Sequence, residues 1–215
     1  MIKRKNILKV AIDSPAAAGA GTQAKLIAKH YSLLALDTGK CYRFIANIKL
    51  TEPTKFNYLY LKKKMKKLKI QDLQNKKLLS DKVATVASVI AKDKKIRKLV
   101  HSFQLKCAYN PPKKFKGSVL DGRDISSVIV PDADVKLFIS ASLKVRAIRR
   151  YKELKAKNNK ISYQEVIKNI KKRDKSDINR KISPLKKTKE SILINTSNLS
   201  LSLIHISEPT RRYSI

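Results

Sequence analysis

The sequence predicts an α/β fold, and three observations carry that expectation. Short apolar runs alternate with segments of helical period, a loop of small residues joins the first run to the first helix, and charged residues gather where the later runs end. Residues 8–12 read as a buried strand and residues 21–31 as a helix with Ala24, Ile27 and Ala28 on one face. Residues 34–36 form a second strand, and Asp37-Thr38-Gly39 at its end turns into a helix carrying Tyr42, Ile45 and Ala46 inward. Residues 51–79 are Lys-rich and weakly periodic, so they read as an inserted subdomain of unassigned structure. Helical period returns over residues 81–90 and 94–108, until Asn110-Pro111-Pro112 breaks it. Residues 118–120 and 135–139 are two more strands. The first delivers Asp121-Gly122-Arg123-Asp124 to the edge at which open α/β sheets bind ligands. Residues 143–157 and 162–172 follow as helices, the second opened by a capping box of Ser162 and Glu165. Residues 173–180 read as a turn dense in both charges, and residues 192–194 as the last strand.

The 50 Lys and Arg against 16 Asp and Glu leave a net charge of +34, which first prompts a nucleic-acid binder. The excess is mostly Lys, spread from Lys3 to Lys189 beside abundant Ile and Asn, as an AT-rich coding sequence produces. The runs over 62–67 and 168–175 have apolar residues at helical intervals and read as solvated helix faces. No nucleic-acid partner is expected, although such a field draws anionic nucleotides toward a cleft. Cys41 and Cys107 lack metal spacing and suit a reducing compartment. His30, His101 and His205 are scattered. Lys9 and Asp13 interrupt the N-terminal apolar run too early for a signal peptide, and no uncharged stretch is long enough to span a bilayer. A cytoplasmic monomer with no membrane association is the resulting expectation.

The candidate site begins in the loop Ser14-Pro15-Ala16-Ala17-Ala18-Gly19-Ala20-Gly21-Thr22, between the first strand and the first helix. It has the outline of a phosphate-binding loop, G-x-x-x-x-G-K-[ST]. In that motif backbone N–H groups curl round phosphates, a Lys reaches the β/γ oxygens and a hydroxyl holds Mg²⁺. Ser14 stands at the first Gly, Gly19 at the second, and Ala20 where the Lys belongs. A plain strand-to-helix turn that packs a helix tightly on a sheet is the competing reading of this segment alone.

Taken with Leu36-Asp37-Thr38-Gly39-Lys40-Cys41-Tyr42-Arg43, Asp121-Gly122-Arg123-Asp124 and Arg173-Asp174-Lys175-Ser176-Asp177-Ile178-Asn179-Arg180, the loop resembles the bacterial cytidylate kinases, in order over residues 10–200. That resemblance implies the three-layer sandwich of P-loop nucleoside monophosphate kinases, with a parallel central sheet. It divides the chain into a core (1–50, 116–148 and 181–200), a monophosphate-binding insert (51–115) and a lid (149–180). The implied reaction is phosphorylation of CMP, and of dCMP, by ATP with Mg²⁺. Cytosine offers an amino donor beside acceptors at N3 and O2, so a carboxylate paired with a guanidinium reads it where uracil mismatches. By resemblance Asp124 and Arg97 are that pair, assisted by Ser88. Arg43 and Arg123 grip the acceptor phosphate. Thr38, Asp177 and Arg173 hold the ribose, and Arg180 reaches the phosphates as the lid closes. Arg123, Arg173 and Arg180 neutralise charge on the moving group, while Asp121 orients Mg²⁺ or its waters and Thr22 ligates it.

Three departures qualify this. Ala20 removes a charge whose loss costs on the order of 10²-fold or more in rate, with Lys25 and Lys40 the nearest replacements in sequence. Ser14, Ala17 and Ala18 add side-chain atoms to a loop that favours glycine. The 51–79 insert is shorter than the β-rich one the resemblance implies. Beyond it, the run from Leu201 to Arg211 reads as a translated sequencing adapter, so 201–215 are expected to be a non-native tail in place of a packed terminal helix. Three readings stay open at this point: an active kinase, a relative that binds nucleotide without efficient transfer and is restored by Ala20→Lys, and a basic nucleic-acid-associated protein.

Overall fold

The computed structural model describes residues 7–156 and 160–199. The apolar runs form β1 (Leu8–Asp13), β2 (Leu33–Asp37), β3 (Gly117–Gly122), β4 (Val135–Ser140) and β5 (Ile192–Asn195), in the order β2-β3-β1-β4-β5. Every pairing is parallel. The strands outrun their apolar cores because backbone pairing continues through polar residues. Asp37 pairs with Asp121 and Asp13 with Gly122, which sets carboxylates in a row along one edge.

The helices are α1 (Ala20–Tyr31), α2 (Gly39–Thr51), α3 (Tyr58–Lys67), α4 (Asp81–Ile90), α5 (Lys94–Tyr109), α6 (Leu143–Lys155) and α7 (Tyr163–Asn179). They lie on both faces of the sheet, and strand alternation decides which face each packs against. Val10, Ile12, Val119, Leu137 and Ile139 bury against Ala24 and Ala28 of α1. Ala11, Leu34, Leu36 and Leu120 point the other way, into a larger core with α2, α4 and α5.

The insert, whose structure the sequence left unassigned, does not stand apart from the core. Leu61, Met65, Leu68, Leu73 and Leu78 are buried in the same core as α2 and α5, on α3 and short 3-10 turns, with no strand among its described residues. Its weak periodicity reflects those turns, which interrupt the 3.6-residue repeat. Nor do residues 173–180 form a turn: α7 runs unbroken through Asn179. Val166 and Ile170 give its buried stripe, and Asp174 and Asp177 continue that stripe as ion-pairing residues, so helical burial persists where the apolar signal stops. The Ser162–Glu165 capping box is present, with Ser162 Oγ accepting from the Glu165 N–H at 3.2 Å. The expected core-to-lid boundary at residue 149 falls inside α6. The proposed tail lies outside the described residues, among which no helix is long and apolar enough to cross a membrane.

Candidate active site

The carboxyl ends of β1, β2 and β3 open onto a cleft with the small-residue loop on one side and an arginine cluster on the other. Residues 14–19 leave β1, where the Ser14 N–H donates to Gly122 C=O at 3.2 Å. Gly19 caps α1 at φ 95°, a conformation that glycine adopts without penalty. Ala17 sits at φ 60°, and an L-residue there carries strain of about 1–2 kcal/mol. Its methyl group packs against the apolar cluster between α6 and α7, which offsets part of that strain.

The loop is fastened to its surroundings through backbone. Asp174 of α7 accepts the Ala16 N–H at 3.2 Å, and Arg146 of α6 donates to Ala16 C=O at 3.0 Å and to Asp174 at 2.6 Å. On the β5 side, Thr196 Oγ1 donates to Ala18 C=O at 3.0 Å and Arg149 donates to the same hydroxyl at 3.0 Å. The first N–H groups of α1 face the cleft as an anion site of the kind found at helix N-termini. Ala20 is buried, its methyl group inside the core of α1, while Thr22 is exposed on the first turn.

Behind the loop lie three strand-end carboxylates. Asp13 is fully buried and accepts from the Ile125 N–H at 2.7 Å, from the Ser126 N–H at 2.9 Å and from the Ser126 hydroxyl, fixing the π-helical turn Ile125–Ile129. Burial raises its pKa against those hydrogen bonds. Asp121 reaches toward the loop, its Oδ2 3.7 Å from where a Cβ on Gly21 would lie. Withdrawal from water, and then the neighbouring Asp37 charge, push its pKa up to about 8, against Arg123, Lys40 and Lys25. Two facing carboxylates beside an exposed hydroxyl fit a Mg²⁺ ion, which takes one or two carboxylates and completes its shell with water and phosphate.

The side opposite the loop is built from guanidinium–carboxylate pairs. Asp124 lies between Arg97, which donates to Oδ2, and Arg180, whose Nη2 is 3.5 Å from Oδ1; all three side chains are nearly buried. Arg97 lies over Tyr42, 5.9 Å from the ring centroid. Burial, foremost, pushes the Tyr42 hydroxyl up to about 12, so it stays a neutral donor. Asp177 accepts from Arg123 Nε at 2.8 Å and has Arg173 Nε at 3.9 Å. Crowding of this half-exposed side chain among protein atoms, then the charges of Arg123, Arg43 and Arg150, hold the Arg173 pKa below its usual value. Four guanidinium groups thus converge on one corner, as a phosphate site requires.

Not every expected residue reaches its expected place. Ser88 is exposed and its hydroxyl donates to Thr85 C=O of its own helix at 2.7 Å. Thr38 is buried and donates to Asp121 C=O at 2.8 Å, so only its lone pairs remain. It packs so closely that a Cβ on Gly122 would lie 2.5 Å from Thr38 Oγ1. Arg180 stands at the Asp124 end rather than beside the loop. Sequence reasoning missed Asp13, Asp37, Arg146, Asp174, Arg149, Arg150 and Thr196. Asp37 and Asp174 lay inside quoted motifs, whereas nothing in the local sequence marks Thr196 as a loop fastener.

Comparison with known proteins follows the same outline. A sequence model of the family described as "Cytidylate kinase" matches residues 10–208. The cytidylate kinase of Bartonella henselae is 41% identical over 196 residues, 89% of this chain and 88% of that protein. That of Fervidobacterium nodosum is 38% identical over 203 residues, 90% of each, and that of Clostridium tetani 39% identical over 222 residues, 95% of this chain and 91% of that protein. Among solved structures, an uncharacterized protein from Eubacterium ventriosum matches with a TM-score of 0.50 over 93% of this chain and 94% of that one. At 16% identity the likeness is one of fold alone.

Proposed function

The chain belongs to the cytidylate kinase family, and from that premise we propose how its cleft divides the work of phosphorylating CMP with ATP. The reaction moves a phosphoryl group from the donor nucleotide in the loop to the acceptor phosphate. The protein's part is to hold two anions in line and to offset their charge.

The observation that carries the reading is the Arg97–Asp124–Arg180 set, one strand end from the phosphate loop. The Asp124 carboxylate accepts from the cytosine 4-amino group while Arg97 donates to N3 or O2. Uracil presents a carbonyl to that carboxylate and is rejected. Arg43, Arg123 and Arg173 grip the acceptor phosphate, and Asp177 positions the latter two and meets the ribose. Thr38 supports this end from beneath, holding Asp121 C=O. Arg180 orients Asp124 with the lid in this arrangement. The deoxy substrate dCMP is accepted through the same base and phosphate contacts. Thr22 and Asp121 hold Mg²⁺, which supplies charge neutralisation to the donor phosphates. The chain works as a cytoplasmic monomer, with residues 51–115 framing the acceptor and 149–180 the donor side.

The test is ADP production in a coupled assay with Mg-ATP and CMP, dCMP, UMP or no acceptor, beside calorimetric CMP binding. CMP-dependent turnover well above that with UMP is expected. A folded protein that does not turn CMP over overturns the reading, whether or not it binds CMP.

A further inference from the structure

The loop lacks its lysine, and the cations around it can be sorted by what already holds them. Arg146 is spent on Ala141 C=O, Ala16 C=O and Asp174. Arg149 is spent on Thr196 and Leu199 C=O. Arg150 is paired with Glu153 at 2.8 Å, and Arg123 with Asp177. Of the lysines, Lys25 and Lys40 are the nearest to the loop in sequence, and among the described residues neither ammonium is in an ion pair or hydrogen bond.

Their positions are unequal. Lys25 is exposed on α1, one turn beyond Gly21. Lys40 is half-buried in the first turn of α2, two residues after Thr38, whose N–H and hydroxyl both bind Asp121 C=O. It precedes Arg43 by three residues, so the two share a helix face, and Arg43 belongs to the acceptor-phosphate cluster. Strand β3 separates β2 from β1, so a phosphoryl group crossing from the loop after β1 to the Arg43 cluster passes over the end of β3. Two strand spacings amount to about 10 Å, and a flexible four-carbon stem rooted after β2, at the Arg43 end of that path, extends toward its centre.

We propose that the Lys40 ammonium meets the transferred phosphoryl oxygens in place of the charge absent at residue 20. The lysine has in effect moved from the donor loop to the acceptor helix. It then approaches the moving group from the side of the incoming oxygen.

The inference rests on the kinase reading, and its test separates the two. Turnover by the full chain and by Lys40→Met and Lys25→Met is compared with CMP binding and with binding of a non-hydrolysable ATP analogue. Circular dichroism checks the fold. Expected is a loss on the order of 10²-fold in kcat for Lys40→Met, at least fivefold weaker analogue binding, unchanged CMP affinity, and less than a threefold change for Lys25→Met. Equal activity of Lys40→Met and the parent, or a larger loss in Lys25→Met, overturns the inference and leaves the kinase reading standing. A folded parent that never turns over overturns both, and CMP binding that survives in it marks a nucleotide-binding relative without transfer.

Discussion

Around the acceptor, charge is held by charge: Asp124 sits between Arg97 and Arg180, and Asp177 between Arg123 and Arg173. Around the donor loop the ties run to backbone, with Asp174 and Arg146 on Ala16 and Thr196 on Ala18, and one residue takes a conformation better suited to glycine. Both regions use guanidinium groups. In the first region side chains hold one another, whereas in the second they hold the loop's backbone and so its shape. The difference teaches where this chain tolerates substitution. A loop held through the backbone of Ala16 and Ala18 does not depend on the side chains at those positions for its fastening. A set of three nearly buried charges does not tolerate the loss of one, because its partners are left uncompensated.

The largest break in that contrast comes from Asp124→Ala. It leaves Arg97 and Arg180 buried without their counter-charge, costing about 3–5 kcal/mol of stability. It also removes preference for CMP over UMP, by about 10- to 100-fold in kcat/KM ratio; urea unfolding and paired kinetics measure both. A preserved CMP preference would sink the assignment. Next in size is Arg123→Lys, which keeps the charge and loses the planar fork. It should raise KM for CMP about tenfold while leaving KM for ATP within twofold.

Asp121 sharpens the comparison through pH. Its pKa is raised from 3.8 to about 8 in the folded chain, so the folded state holds a proton that the unfolded state has released. Its contribution to stability is therefore present below the unfolded value and is lost as pH climbs to about 8. The melting temperature without Mg²⁺ should fall over that window, with Asp13 contributing in the same direction. Asp121→Asn should flatten the fall in part, and Mg²⁺ should stabilise the parent more at pH 8 than at pH 6. A slope unchanged in Asp121→Asn would show that another group carries it. The smallest effect is expected from Ala17→Gly. Relief of about 1 kcal/mol of strain is offset by lost packing against the lid helices and by a freer unfolded chain, for a net change below about 1 kcal/mol in chemical denaturation.

Much of this was legible from residue types in order. The strands were visible as apolar runs, and the Arg97–Asp124 pairing was expected before the two were brought together from α5 and the end of β3. Helix α7 was cut short because its buried stripe becomes charged at Arg173, and period-based reading counts only apolar residues. Ser88 was expected at the base, yet rotation of α4 leaves it exposed.

By itself, the sequence determined the α/β alternation, the small-residue turn between β1 and α1 with Ala at residue 20, and which arginines the chain carries, since these depend on local period and residue type. Tertiary structure alone decided which charges are already spent. Arg146 and Arg149 were as eligible as any cation until α6 laid them against the loop backbone, and Thr196 became a fastener only because β5 pairs beside β4. Those commitments join residues more than 40 positions apart. Hydrogen-bond geometry across such separations is fixed by how the layers pack, not by any pattern along the chain.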